Sequence, residues 1–271
     1  MIITHKCGFC VQNKEEEIEI FSESEVNGFI ASVYAGVFNP QQLSLDVYQK
    51  VARKLTEGVN EGYGKSLFNV KFGEPDELML RSLRDNVYIF SAAKDYQMTR
   101  EVSSLMITPK GVRPFREFEK EAAKVFDTYN KNYLTAEYNS AIAQGRTASI
   151  WQEIEREKDI YPQLQYETVG DDRVRPEHAA LDGIIKPVDD RFWNVWMPPN
   201  GWNCRCDVIQ TVGGTNTDLR DKTPPTKKEV PDIFRFNAGK TKQVFSPAHP
   251  YFDVAKADKT LAKNNFNLPL P

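Results

Sequence analysis

The sequence predicts an α+β fold in which a helical N-terminal part with long helices is followed by a small, mixed, loop-rich module with a metal as its candidate staple. Three observations predict it. Apolar residues recur at helical spacing from Leu43 to Ile154. After Tyr161-Pro162 the period switches to strand alternation, Leu164, Tyr166 and Thr168 facing one way and Gln165 and Glu167 the other. From Gly170 to Cys206 proline and glycine become dense, and two of the four cysteines and three of the four tryptophans fall in that stretch.

In chain order, His5-Lys6-Cys7-Gly8-Phe9-Cys10 is a C-x-x-C whose turn at Gly8 could bring two thiolates onto one metal. The glutamates between Glu15 and Glu25 alternate with Ile18 and Ile20, which suggests a short exposed strand. Asn39-Pro40 reads as a helix start, with Leu43, Val47, Val51 and Leu55 on one face and Gly58 just past the end. The glycines from Gly58 to Gly64 lack the order of a phosphate-binding loop. Glu74-Pro75-Asp76 opens a second helix through Leu80, Leu83, Val87 and Phe90 towards Met106, and Thr108 to Pro114 breaks it. A very long helical pattern then runs from Pro114 to Ile154, with Gly145 as the weak point where it would divide. Aromatics at Phe126, Tyr129, Tyr133 and Tyr138 could stack bases, but the acids among them favour a core role. These readings divide the chain into an extension, 1–72, a helical domain, 73–160, and a small α+β module, 161–271.

The balance of 35 Lys plus Arg against 38 Asp plus Glu leaves a net charge of -3, so no global basic field draws the chain to nucleic acid or acidic lipid. The apolar run from Val26 to Phe38 is too short and too polar to span a bilayer. The first residues do not read as a secretory signal, and four cysteines are too few for a disulfide scaffold, so a reducing cytoplasm is expected.

Within the module, Pro176 to Asp182 reads as a short helix ending at Gly183 and carrying His178. Cys204 to Val212 reads as a strand with Cys204, Cys206, Val208 and Gln210 on one face and Arg205 on the other. Neighbours two apart on a strand lie roughly 6 to 7 Å apart, too far for an unstrained disulfide but suited to a shared metal. His249, held between Pro247 and Pro250, would complete a four-coordinate structural zinc site with His178, Cys204 and Cys206. Cys7 and Cys10, with His5, are the alternative ligands, and spacing does not choose between the sets. The acids Asp171, Asp172, Glu177, Asp182, Asp189 and Asp190 sit where helix and turn caps occur. Trp193, Trp196 and Trp202 are expected to pack over Pro198 and Pro199 as the module's core.

Tyr166-Glu167-Thr168-Val169-Gly170-Asp171-Asp172-Arg173-Val174-Arg175-Pro176-Glu177-His178, Leu181-Asp182-Gly183, Asp189-Asp190-Arg191-Phe192-Trp193 and Pro198-Pro199-Asn200-Gly201-Trp202-Asn203-Cys204-Arg205-Cys206 agree in order and spacing with one family. With the helix before them and the tail Phe245 to Tyr251, they resemble the phage Mu protein F-like head morphogenesis proteins, also called minor capsid or minor head proteins, from Pro75 to Tyr251. The resemblance implies a non-enzymatic virion protein of a phage or prophage, acting in capsid assembly near the portal. Portal and capsid proteins would be its partners and packaged DNA a further contact. It would be located in the virion, and in the bacterial host cytoplasm during assembly. It brings no established catalytic residues. Competing readings are a hydrolase of the phage head, using a metal or a Cys204 or Cys206 nucleophile with His178 as base, and a DNA-binding virion protein.

Overall fold

The computed structural model describes residues 17–271; the expected ligands His5, Cys7 and Cys10 lie outside them. The α+β architecture is as expected, with long helices followed by small antiparallel sheets. Helix α1 (Glu23–Tyr34) begins at a reciprocal cap, Ser22 accepting from Glu25 N–H while the Glu25 carboxylate accepts from Ser22 N–H. The strand expected at Ile18 and Ile20 does not form. Those residues lead into the cap, and Ile18 is buried with its N–H donating to Thr135 Oγ1 at 3.0 Å.

Helix α2 (Leu45–Tyr63) starts later than Asn39-Pro40, because Asn39 and Gln42 pair with each other and Ser44 Oγ accepts from Val47 N–H at the first turn. It also runs through Gly58 and Gly62, and the positive φ falls at Gly64 instead. Helix α3 (Pro75–Ser104) starts at the expected proline. A minimal hairpin of β1 (Ile107–Thr108) and β2 (Gly111–Val112) makes the break that follows. The long pattern after Pro114 is α4 (Phe115–Asp127), a π-helical turn over Thr128–Tyr133, and α5 (Leu134–Glu157). It therefore divides at the wide turn and not at Gly145. There Tyr129 Oη donates to Glu101 and Asn130 Nδ2 to Met98 Sδ, bonds that reward the local widening.

In the second part, β3 (Gln163–Glu167) is the middle strand of an antiparallel sheet between β4 (Ile185–Pro187) and β5 (Asp207–Thr211), with α6 (Pro176–Ala179) before β4. Leu164 and Tyr166 are fully buried, as the alternation predicts. The strand is shorter than expected at its start: Cys204 and Cys206 precede β5, in a loop. Short helices α7 (Ala238–Thr241) and α8 (Lys259–Lys263) complete the regular structure.

The described chain forms two compact units, each discontinuous in sequence: 58–83 with 139–248, and 17–57 with 84–138 and 249–271. Three of their boundaries fall inside α2, α3 and α5 and the fourth lies between 248 and 249, whereas the sequence division at 72 and 160 marks changes of element type. The first unit has its core at Trp151, Ile154, Leu164, Tyr166, Trp193 and Trp196, with Trp202 half-buried at its edge against Phe234. Each large apolar side chain so enclosed contributes about 1.5–3 kcal/mol. The second unit packs Phe29 on Phe126 and Phe90 on Tyr251, and buries the ion pair Lys94–Glu137. Phe126, Tyr129 and Tyr138 are buried there, as the core reading of the aromatic stripe requires, while Tyr133 is exposed. No helix among the described residues is long and apolar enough to cross a membrane.

Candidate metal centre

His178, Cys204 and Cys206 converge in the first unit. Pro176 fixes the start of α6 and places His178 on its inner side, 3% exposed. The cysteines are delivered by the loop from Pro198, which three contacts with α5 hold: Thr147 Oγ1 donates to Pro198 O at 2.6 Å, Asn139 Nδ2 to Asn203 Oδ1 at 3.3 Å, and Arg146 pairs with Asp207 at 2.6 Å. Asn203 takes a left-handed backbone, φ 56°, which turns the chain so that both following sulfurs face the imidazole. Between them Arg205 points away and grips Asp171 with two bonds of 2.7 Å.

His178 Nδ1 lies 3.6 Å from Cys204 Sγ and 3.5 Å from Cys206 Sγ, and all three ligand atoms lie within 4.8 Å of one another. A tetrahedral zinc with Zn–S of about 2.3 Å and Zn–N of about 2.0 Å has nitrogen-to-sulfur edges of roughly 3.6 Å. The observed edges fit that ion. Nε2 faces Asn200 O at 3.3 Å, and a carbonyl can only accept. Nε2 therefore carries the proton, leaving the Nδ1 lone pair for a metal.

Both cysteines are free thiols. The hydrogen bond from Cys206 draws the Cys204 thiol well below its usual range; His178 adds to this and burial opposes it. The same bond, with burial, pushes Cys206 far up, while the nearby Arg175 pulls weakly the other way. The shift at Cys204 is towards the thiolate, the species that binds metal. Tyr166 closes the base of the site: burial, then the charges of Cys204 and Cys206, raise its phenol well above the ordinary value, and its hydroxyl donates to Asn200 Oδ1 at 3.1 Å. Asn200 in turn donates to Val195 O and Phe234 O, so its side chain is fully bonded and its carbonyl is fixed towards His178.

His249, expected as the fourth ligand, is not in this cluster. It belongs to the other unit, where its Nδ1 caps the turn at Pro250–Phe252 by accepting from Tyr251 N–H at 3.2 Å and its ring packs on Phe90. Burial, aided by the charge on Lys94, lowers its pKa to about 4. The acids behave as caps and ties: Asp190 accepts from Phe192 N–H, Asp182 from Thr168, and Asp189 pairs with Lys158. Sequence reasoning missed Asn200, Tyr166 and Arg175 as parts of the site. Tyr166 reads as a core position, and only the loop geometry brings Asn200 O to the histidine.

Residues 111–209, which include all three clustered ligands, match the family described as Phage Mu protein F like protein. That span is narrower than the resemblance read from Pro75 to Tyr251. The putative capsid assembly protein F of Escherichia phage Mu is 40% identical over 86 residues, covering 32% of this chain and 20% of that protein. The Mu-like prophage FluMu F protein of Haemophilus influenzae is 46% identical over 50 residues, 18% of this chain and 12% of that protein. The matched stretches thus span a fifth or less of these curated relatives. No solved structure matches. Over residues 111–209 the chain is thus similar to the Phage Mu protein F like family.

Proposed function

We propose that this chain is a phage or prophage head protein that acts in capsid assembly next to the portal, as a structural component and not a catalyst. The observation that carries the reading is the family match over 111–209, together with a relative named as a capsid assembly protein. In this reading a zinc ion on His178, Cys204 and Cys206 ties the loop from Pro198 to α6 and fixes the module as a rigid part. Asn200 orients the histidine, and Asp171 holds Arg205 outward so that both sulfurs stay inward.

The test is the composition of heads from a strain that produces the phage. The chain is expected in purified heads and in complexes pulled down with the portal protein, and deleting its gene should leave aberrant or empty heads. Heads that lack the chain and form normally without it would overturn the reading. A hydrolase using the Cys204 thiolate and His178 is the second reading, because that thiol is drawn below its usual range. Alkylation separates the two: a nucleophile labels quickly in the native protein, a metal-bound thiolate only after chelation.

A further inference from the structure

We infer that Cys204 and Cys206 are a reversible dithiol–disulfide couple that exchanges with small-molecule disulfides, so that the centre holds zinc only while the pair is reduced. The zinc clause rests on the metal reading above; the couple itself needs only the two thiols. On a strand, positions two apart keep their β-carbons too far from each other for an unstrained bridge. The two cysteines lie instead in the loop before β5, as free thiols whose sulfurs stand within 4.8 Å of each other. The backbone is already curled there: Cys204 N–H donates to Gly201 O at 3.2 Å, and Asn203 is left-handed. Arg205, the residue between the cysteines, is turned away onto Asp171. A bridge needs the sulfurs about 2.05 Å apart, an approach that rotation about the two Cα–Cβ bonds can supply. Cys206 is half-buried where Cys204 is buried, so the outer sulfur gives an incoming disulfide its access. Exchange proceeds in two displacements. One cysteine thiolate attacks the small disulfide, forming a mixed disulfide and expelling one small thiolate; the other cysteine then attacks the bonded cysteine sulfur and expels the second. The two cysteines lose two electrons and two protons, and both pass to the two small thiols released. A ring closed over a single intervening residue gains little from chain entropy and carries strain, so the bridge is of the labile, re-reducible kind. Neither sulfur of a disulfide is a thiolate, so bridging leaves His178 alone of the three clustered ligands to hold a metal.

The test uses the full chain carrying Cys7→Ser and Cys10→Ser, freed of metal, with oxidised glutathione as the probe. Intact mass should show the loss of two hydrogens and no retained adduct, fragmentation should place the bridge between Cys204 and Cys206, and dithiothreitol should restore the starting mass. Adding Cys204→Ser should stop the reaction at one glutathione adduct, on Cys206. Zinc added first should slow bridging by roughly tenfold or more, and the bridged chain should bind zinc roughly a hundredfold more weakly than the reduced one. Retained glutathione adducts without an internal bridge, thiols that stay reduced, or a bridge that forms only in urea would overturn the inference. A bridged chain that binds zinc as tightly as the reduced one would overturn it as well. A reduced chain that binds no zinc would instead remove the metal reading, and the zinc clause with it, while the mass measurements still decide the couple.

Discussion

Gly62 of α2 lies against the backbone of Ile142 in α5: a β-carbon at Gly62 would stand 1.9 Å from the Ile142 carbonyl oxygen. No side-chain rotation relieves that clash, because the obstacle is main chain. Gly62→Ala should therefore destabilise the protein by about 1–3 kcal/mol in urea unfolding, even though alanine favours helix over glycine. Gly28, exposed in α1 with nothing within 4 Å of its would-be β-carbon, is the control. Gly28→Ala should stabilise by about 0.5–1 kcal/mol. Equal effects of the two substitutions would contradict this packing.

The buried Lys94–Glu137 pair is further bonded by Tyr251 Oη, which donates to Glu137 at 2.9 Å. Lys94→Met should cost about 3–5 kcal/mol, because it leaves a buried carboxylate without its cation. Replacing both Lys94 and Glu137 by Met should cost less than Lys94→Met alone. The double-mutant cycle checks this, with strict additivity as the contrary result.

Asp95 is enclosed on α3, its Oδ2 without a partner, and burial pushes its carboxyl up to about 7; Thr99 and the Ser44 N–H act against that rise. Its folded pKa lies above the ordinary aspartate value of 3.8, so the folded state holds the proton more tightly between the two. The resulting stability is complete below about pH 4 and is lost as pH rises through about 7. Asp95→Asn should match the wild type near pH 4 and exceed it by about 1–3 kcal/mol at pH 8, as read from urea unfolding at both pH values. A pH-independent difference would contradict the assignment.

What the sequence makes legible follows from how local each cause is. Pro75 and Pro176 open their helices where proline's fixed φ allows, and the alternation of Leu164 and Tyr166 marks a strand with one buried face. Helix α1 was legible too, since Ser22 and Glu25 have the spacing of a capping box, but the glutamate run masks it. Glycine misleads because its reason is distant: Gly62 and Gly145 read as a loop residue and a weak point, whereas they let helix backbones meet, Gly145 against Val59. At the site, residue types identified His178, Cys204 and Cys206, but the left-handed turn at Asn203, which makes the sulfurs converge, has no strong local signature. His249 shares their chemistry, yet its flanking prolines tie it into a capped turn of the other unit.

Metal content is the direct measure of whether His178, Cys204 and Cys206 hold zinc. The purified full chain, Cys204→Ser and Cys7→Ser should be compared by elemental analysis after dialysis against metal-free buffer. One zinc per chain is expected in the wild type and in Cys7→Ser, and loss of bound zinc in Cys204→Ser. A metal-free wild type that is as stable with chelator as without it would rule out the zinc centre.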